Sequence, residues 1–403
     1  MRAAKDPNVD ARVISLGPKL PALPERLLLA HARGEVLFIA GAGISQSAGL
    51  PDFRQLVLDV YEKLDKPVHE VLSPIPSSAC SHWNADTSGL TDQQSAEIKR
   101  FVARDYDVAL GMLERRMDGQ SSSSSSVRRS IAATLRRSGA RPAAIHHALI
   151  RLADRGGATT IVTTNFEHLL EEAARTARRS VQTYTLGGIP RPGRTMDFAG
   201  VLHIHGAFDR DPARVADLIV SDQDFGEFYL RRRVVSDFIY DAARLFNIVL
   251  VGYSANDPPM RYLLNAVAAD GNRFDDLKER FTFVGAAEPD PVSLEDWKAR
   301  GITPIQYDSV DGHGALVQVL ERWAALSAHK GKRSLVDAEI RRIVRRTRNE
   351  ASEADRDLFD HLIRRGDANE RARLSALASK VQADLTWLDA ITAVASEHEV
   401  HRR

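Results

Sequence analysis

The stretch that most constrains this chain is "VLFIAGAGISQSAG", Val36 to Gly49. Five apolar residues between Gly34 and Gly41 are too few for a stable helix and too uniformly apolar for a half-exposed strand. They predict a strand buried on both faces, which is the signature of a parallel sheet covered by helices. "PERLLLAHAR" at 24–33 reads as the preceding helix, with Pro in its first turn. The glycine turn then falls at the carboxyl end of the strand, where ligands of open α/β sheets bind. Glycines 41, 43 and 49 allow positive φ and close backbone approach, and a helix opening near Pro51 would aim N–H groups at an anion. The spacing matches neither common nucleotide template. A Walker loop needs a terminal Gly-Lys-Ser/Thr, and the dehydrogenase fingerprint needs its third glycine three residues after the second, where here the gap is six. Glycine spacing alone leaves both a structural turn and a phosphate cradle open.

The same alternation recurs. "TTIVTTNFEHLLEEAART", "AGVLHIHGAF" and "IVLVGYSANDPPMRYLLNAVA" each read as a strand ending in a turn, the first and last running on into a helix, and "RFTFVGAAE" and "TPIQYD" add short strands. This predicts an α/β protein with a Rossmann-like, doubly wound parallel sheet. From about 66 to 145 the pattern changes to broken helical segments and a six-serine run, "SSSSSS", expected as a helical insertion with an exposed loop. After Trp323 the strands stop. Residues 331–403 are expected to form a C-terminal helical segment, with Leu374, Leu377, Val381, Leu385, Leu388 and Ile391 along one stripe. The expected organisation is a domain over 1–330, carrying the insertion, followed by that segment.

Composition removes several function classes. With 55 basic and 54 acidic residues the net charge is +1, which supplies no overall drive toward nucleic acid or membrane, and no nucleic-acid role is assigned. The basic "IRRIVRRTR" at 340–348 reads as a solvated amphipathic helix. A single cysteine, Cys80, excludes an internal disulfide and a tetrathiolate zinc site. The histidines show no paired ligand spacing, so no metal is expected. Neither a signal peptide nor an 18-residue apolar run appears, and a cytoplasmic protein is expected.

Read on into its continuation, "GAGISQSAGLPDFR" closely resembles the NAD-binding signature of the sirtuins. Three further segments follow in order: "TTNFE" at 163–167 resembles the sirtuin Thr-Gln-Asn-Ile-Asp, "HIHGAF" at 203–208 the segment with the catalytic histidine, and "VGYSAND" at 251–257 the Gly-Thr-Ser loop. The resemblance covers about residues 20–325. It implies NAD as substrate, held by Gly41, Ala42, Gly43, Ser45, Gly49, Asp52, Phe53, Arg54, Thr164, Glu167, Gly252, Ser254 and Asp257, with His205 and Asn165 as catalytic residues. The chain departs from the family in lacking zinc cysteines, and at Thr164, Glu167 and Tyr253. These departures are similar to the sirtuin-like NAD hydrolases of bacterial antiphage defence.

Residue chemistry fits those roles and also permits plainer ones. Cleaving nicotinamide from ribose expels a group that already carries positive charge, so no general acid is needed and one base suffices. His205 at a strand end suits that base, with His203 on the same strand face as runner-up or support. Asn165 either binds ribose or water or caps the following helix. Glu167 either complements that helix dipole or meets nicotinamide. Ser45 is expected to bond phosphate or cap a turn, and Asp52 and Arg54 to meet ribose and pyrophosphate or form a surface pair. Ser254 and Asp257 would contact adenosine, Asp257 equally suiting a helix cap. His146 and His147 are expected to take surface or packing roles. The resemblance implies an NAD glycohydrolase, a deacylase or ADP-ribosyltransferase, or a non-catalytic NAD-sensing module. The apolar stripe from Leu374 to Ile391 predicts a homo-oligomer assembled partly through the insertion and the C-terminal helices, and family analogy implies a HerA-type ATPase or other activating partner.

Overall fold

The computed structural model describes residues 12–77, 83–119, 124–137, 139–155, 158–193, 198–208, 217–252, 264, 267, 277–288, 290–327 and 331–400. Backbone contacts divide the chain into two compact units, one of residues 37–147 and 160–278 and the other of 1–36, 148–159 and 279–403.

The first of these contains the sheet that carries the glycine turn. Numbering strands along the chain, β1 is Val13–Ser15, β2 Ala22–Pro24, β3 Val36–Ala40, β4 Thr160–Thr163, β5 Gln182–Tyr184, β6 Gly200–His203, β7 Asn247–Val251, β8 Arg280–Ala286 and β9 Thr303–Asp308. Strands β3 to β7 take the order β5-β6-β4-β3-β7. Parallel registers pair Ala40 with Thr163, Thr163 with His203, and Tyr184 with Leu202. The ends of β3 and β7 also coincide, since Gly41 N–H donates to Val251 O (3.0 Å). Every residue of β3, β4, β6 and β7 is buried, as the unbroken apolar run of β3 predicts.

The strand order shows why the sheet is doubly wound. From β4 through the helix Leu169–Thr176 to β5 the chain moves outward past β6; from β6 through the helix Val234–Leu245 to β7 it crosses back past β4 and β3. Because crossovers between parallel strands are almost always right-handed, opposite directions of travel place these helices on opposite faces. The progression reverses between β3 and β7, so the crevice at the carboxyl ends there is the topological switch point.

The described part of the expected insertion is helical: Lys66–Leu72, Asp92–Val102, Tyr106–Asp118, Ser126–Arg137 and the start of Ala144–Leu152. Its apolar faces do not form a separate core. Val68, Ile98, Phe101, Leu110, Leu113 and Ile131 share one cluster with Phe166, Leu169, Phe208, Leu218 and Val220 from the segments that follow β4 and β6. A buried ionic clamp joins the same parts: Arg128 reaches Glu114 (3.0 Å) and both oxygens of Asp224 (2.7 Å each). Arg128→Leu would leave two buried carboxylates without their cation, and is expected to cost about 3–5 kcal/mol. Chemical denaturation of the variant, read against the native chain, checks that figure; a loss under about 1 kcal/mol would show the clamp to be dispensable.

The other unit holds the antiparallel pair β1–β2, the parallel pair β8–β9, and the helices Arg333–Ile343, Glu353–Arg364, Ala368–Lys380 and Leu385–Val400. The stripe expected from Leu374 to Ile391 is not one surface. A turn with Gln382 at φ 54° separates two helices, leaving Val381 39% and Leu385 73% exposed, while Leu374 and the unforeseen Trp387 are fully buried. Arginines of the basic stretch face local acids, Arg342 with Asp355 (2.6 Å) and Arg348 with Asp360 (2.6 Å). No helix among the described residues is long and apolar enough to cross a membrane.

Candidate functional site

Sequence groups three glycines as one loop, but they have different physical reasons. Only Gly49 among them has positive φ, 83°. Gly43 is needed for close approach: a Cβ there would lie 2.9 Å from Gly252 Cα. Gly252 is doubly required, with φ 60° and a Cβ position 2.5 Å from Ile44 N. The ends of β3 and β7 thus touch backbone to backbone at the switch point.

Around this contact the N–H groups of Gly41, Gly43, Ile44 and Ser45 have partners within the protein. Gly41 and Gly43 N–H donate to Val251 O and Gly252 O (3.0 and 2.8 Å), and Ile44 and Ser45 N–H close a turn on Gly41 O and Ala42 O. The helix after the turn, Gly43–Gln46, is a single turn; the longer helix Phe53–Leu64 begins later, with Asp52 as its cap, accepting from Gln55 N–H at 2.7 Å. Ala42 and Gly43 stand exposed at the crest. Phe53 meets Tyr106 edge-on at 6.0 Å, and Arg54 donates to Ile75 O and lies over Phe101. Asp52 and Arg54 therefore hold structural partners in this conformation.

The buried polar centre lies instead between β3 and β4. Thr163 Oγ1–H and Thr164 N–H both donate to Ala40 O (2.9 and 3.1 Å), fixing the two strand ends. Asn165, 7% exposed, donates through Nδ2 to Gly41 O (3.3 Å), Ser45 Oγ (3.0 Å) and Glu167 Oε1 (3.1 Å). Ser45 Oγ–H donates to the same Glu167 oxygen at 2.5 Å. Two obligatory acceptors around Nδ2 fix the amide orientation. Asn165 does not cap the helix, which starts at Leu169 with His168 in the cap position. Glu167 likewise precedes the helix rather than sitting in its first turn. The capping alternative for Asn165 and the dipole alternative for Glu167 are thereby removed; Ser45 pairs with both.

On the neighbouring strand, Gly206 adopts φ 90°, and a Cβ there would fall 2.1 Å from Asp217 O. This left-handed turn sends the chain away immediately after His205. His205 is buried, its Nε2 2.6 Å from Tyr229 Oη and its ring edge-on to Phe225. Burial pushes the imidazole down to about 3, so it is neutral at ordinary pH while hydrogen-bonded to the tyrosine hydroxyl. Tyr229 escapes sequence reading because it lies in a π-helical turn, Gly226–Arg231, whose periodicity hides which face is inward. Its position traces to the insertion: Arg128 grips Asp224, the residue before Phe225.

His203 is fully buried and turned away from His205's partners. Its Nδ1–H donates to Asn165 O (2.6 Å), and its Nε2 faces Glu171 Oε1 (3.0 Å). It supports Asn165 rather than serving as an alternative base. His168 joins the same carboxylate, so two histidines and a glutamate that sequence spacing does not pair meet in three dimensions. Ser254 and Asp257 lie outside the described residues.

His146 packs as expected, its Nδ1 accepting from Ala143 N–H at 3.1 Å. Burial lowers it to about 4. Between about pH 6.5 and 4 the unfolded chain then binds a proton that the folded chain does not, so stability falls with falling pH. His146→Asn is expected to flatten that decline by up to about 1.4 kcal/mol per pH unit. Unfolding midpoints at pH 7 and pH 5 measure it, and identical slopes for both proteins would refute it.

Residues 159–305 match the SIR2-like domain model. An uncharacterized protein, y4cA, of Sinorhizobium fredii (strain NBRC 101917 / NGR234) is 32% identical over 391 residues, 92% of this chain. The chain spans 30% of that relative's length. Among solved structures, a Sir2 enzyme aligns with 74% of this chain and 95% of its own, at 14% identity and TM-score 0.39. A Sir2 homologue in complex with NAD aligns with 74% of this chain and 92% of its own, at 15% identity and TM-score 0.34.

Proposed function

We propose that the protein is an NAD glycohydrolase, converting NAD and water to nicotinamide, ADP-ribose and a proton. The observation that carries this reading is the Asn165–Ser45–Glu167 network at the ends of β3 and β4, beside a neutral histidine at the end of β6. As the glycosidic bond breaks, positive charge moves onto the ribose. A protonated imidazole would oppose that charge; burial keeps His205 neutral, and its unprotonated ring nitrogen would be the base for the attacking water. Asn165 spends Nδ2 inside the protein, and its Oδ1 has no hydrogen-bond partner among the described residues, which leaves an acceptor for a ribose hydroxyl or that water. Glu167 places a carboxylate next to the amide, and its negative charge would favour a cationic sugar held there.

Residues 1–330 would form the catalytic domain, with Ala42, Gly43, Gly49, Phe53, Thr164, Gly252, Ser254 and Asp257 completing the NAD contacts. Asp52 and Arg54 would join them only by leaving their present partners. Depleting NAD fits an effector of antiphage defence, acting as a homo-oligomer and switched by a HerA-type ATPase or other partner. The test is incubation of purified protein with NAD alone, with products identified by mass. Nicotinamide and ADP-ribose in equal amounts support hydrolysis. Consumption only when an acylated peptide or a protein acceptor is added would replace it with deacylation or ADP-ribosyl transfer. NAD binding without turnover in the assembled protein would replace it with sensing.

A further inference from the structure

Two histidines and one glutamate meet beneath the Asn165 turn in an arrangement that neutral rings and an ionised carboxylate do not satisfy. His168 Nε2 lies 2.7 Å from Phe208 O, and His203 Nδ1 lies 2.6 Å from Asn165 O. A carbonyl oxygen only accepts, so each of these nitrogens carries its ring's proton. In neutral rings the other nitrogens, His168 Nδ1 and His203 Nε2, then hold lone pairs. Both point at Glu171 Oε1, at 3.4 and 3.0 Å, and Thr183 Oγ1–H already donates to that oxygen at 2.8 Å. Glu171 Oε2 is buried with no hydrogen-bond partner at all.

Lone pairs facing a carboxylate repel unless a positive charge lies between them. Two extra protons would supply it, at the cost of holding two imidazolium rings with centroids 5.4 Å apart beside a single carboxylate. One divalent cation supplies the same charge at one point. The three ligand atoms lie within 4.8 Å of one another. A tetrahedral ion bonded at about 2.0–2.1 Å separates its ligands by about 3.3 Å, close to the nitrogen–oxygen distances present. The locking of each histidine by a backbone carbonyl is the support that metal-binding imidazoles ordinarily have. Two nitrogens and one oxygen suit zinc and its neighbours, whereas calcium and magnesium select oxygen alone. An entry path exists, since the His168 side chain is 25% exposed while Glu171 and His203 are 4% and 0%.

We propose that His168 Nδ1, Glu171 and His203 Nε2 form a binding site for one divalent transition-metal ion of the zinc class, with a water completing the tetrahedron. The ion would brace the turn that carries Asn165, because His203 joins the metal to the Asn165 carbonyl. The site stands apart from the proposed NAD cleavage and is tested without it.

The experiment is titration of chelator-treated, folded protein with Co2+, followed by visible absorption, and with Zn2+ by calorimetry. One equivalent is expected, with the intense visible bands of tetrahedral cobalt. His168→Gln and Glu171→Gln are expected to weaken binding more than about 100-fold, and His147→Ala to leave it unchanged. Circular dichroism establishes that each variant is folded, and the partly exposed His168 is the position least able to disturb packing. Native protein that binds neither ion, or His168→Gln that binds as tightly as the native chain, would overturn the site.

Discussion

Nicotinamide release from NAD is expected to fall by about 10²- to 10⁴-fold in His205→Ala, the range by which a positioned base accelerates proton transfer. Asn165→Ala is expected to lose about 10²- to 10³-fold, as for removal of one preorganised polar group from a reacting centre. The pair should be non-additive, because both act on one attacking water and ribose. The effects should fall on kcat more than on KM, since neither residue makes the bulk of the dinucleotide contacts. Steady-state kinetics on the folded variants decide the matter. Turnover of both within threefold of the native chain would mean that the polar centre is structural and that NAD is cleaved elsewhere or not at all.

Gly252→Ala is the second large effect. An alanine there must hold φ 60°, which costs roughly 1–2 kcal/mol, and must place its methyl 2.5 Å from Ile44 N, a contact with rigid backbone. Overpacking of that kind adds about 1–3 kcal/mol, so a total of about 2–5 kcal/mol is expected. Gly49→Ala provides the internal comparison. It has φ 83° but nothing within 4 Å of the added carbon, so only the conformational cost of about 1–2 kcal/mol applies. The difference between the two unfolding free energies isolates the close approach of β3 and β7. Equal losses would show that the strand ends can part, and that the glycine turn is not fixed by its neighbour.

Much of the sheet was legible because its signals are local. The apolar run of β3, the strand before Asn165 and the strand before His205 are each read from a few consecutive residues, and each polar candidate follows directly from a strand's end. The single apolar stripe of the C-terminal segment was not legible in this way. Leu374 to Ile391 gives helical spacing across a segment that a turn at Gln382 divides, and spacing cannot register a turn whose residue is not glycine or proline. Tyr229 was missed for a related reason, since a π-helical turn shifts the inward face by a residue.

The competing roles of Asn165 and Glu167 separate the two levels of information. Asparagine shortly before a helix is chemically able to cap it, and only the observed start at Leu169 removes that role. The glycines behave similarly: the sequence makes close approach permissible, while the neighbour that demands it, Gly252, lies two hundred residues away along the chain.

By itself the sequence determined that this chain builds buried parallel strands whose carboxyl ends present Gly41, Asn165, His205 and Gly252. That follows from period, apolarity and turn chemistry, which act over a few residues. The tertiary structure alone decided what those ends touch: the glycine pair across the switch point, the tyrosine on His205, and the meeting of His168, Glu171 and His203. Such meetings depend on strand order and register, which are set by packing the whole sheet against its helices, and no local pattern carries them.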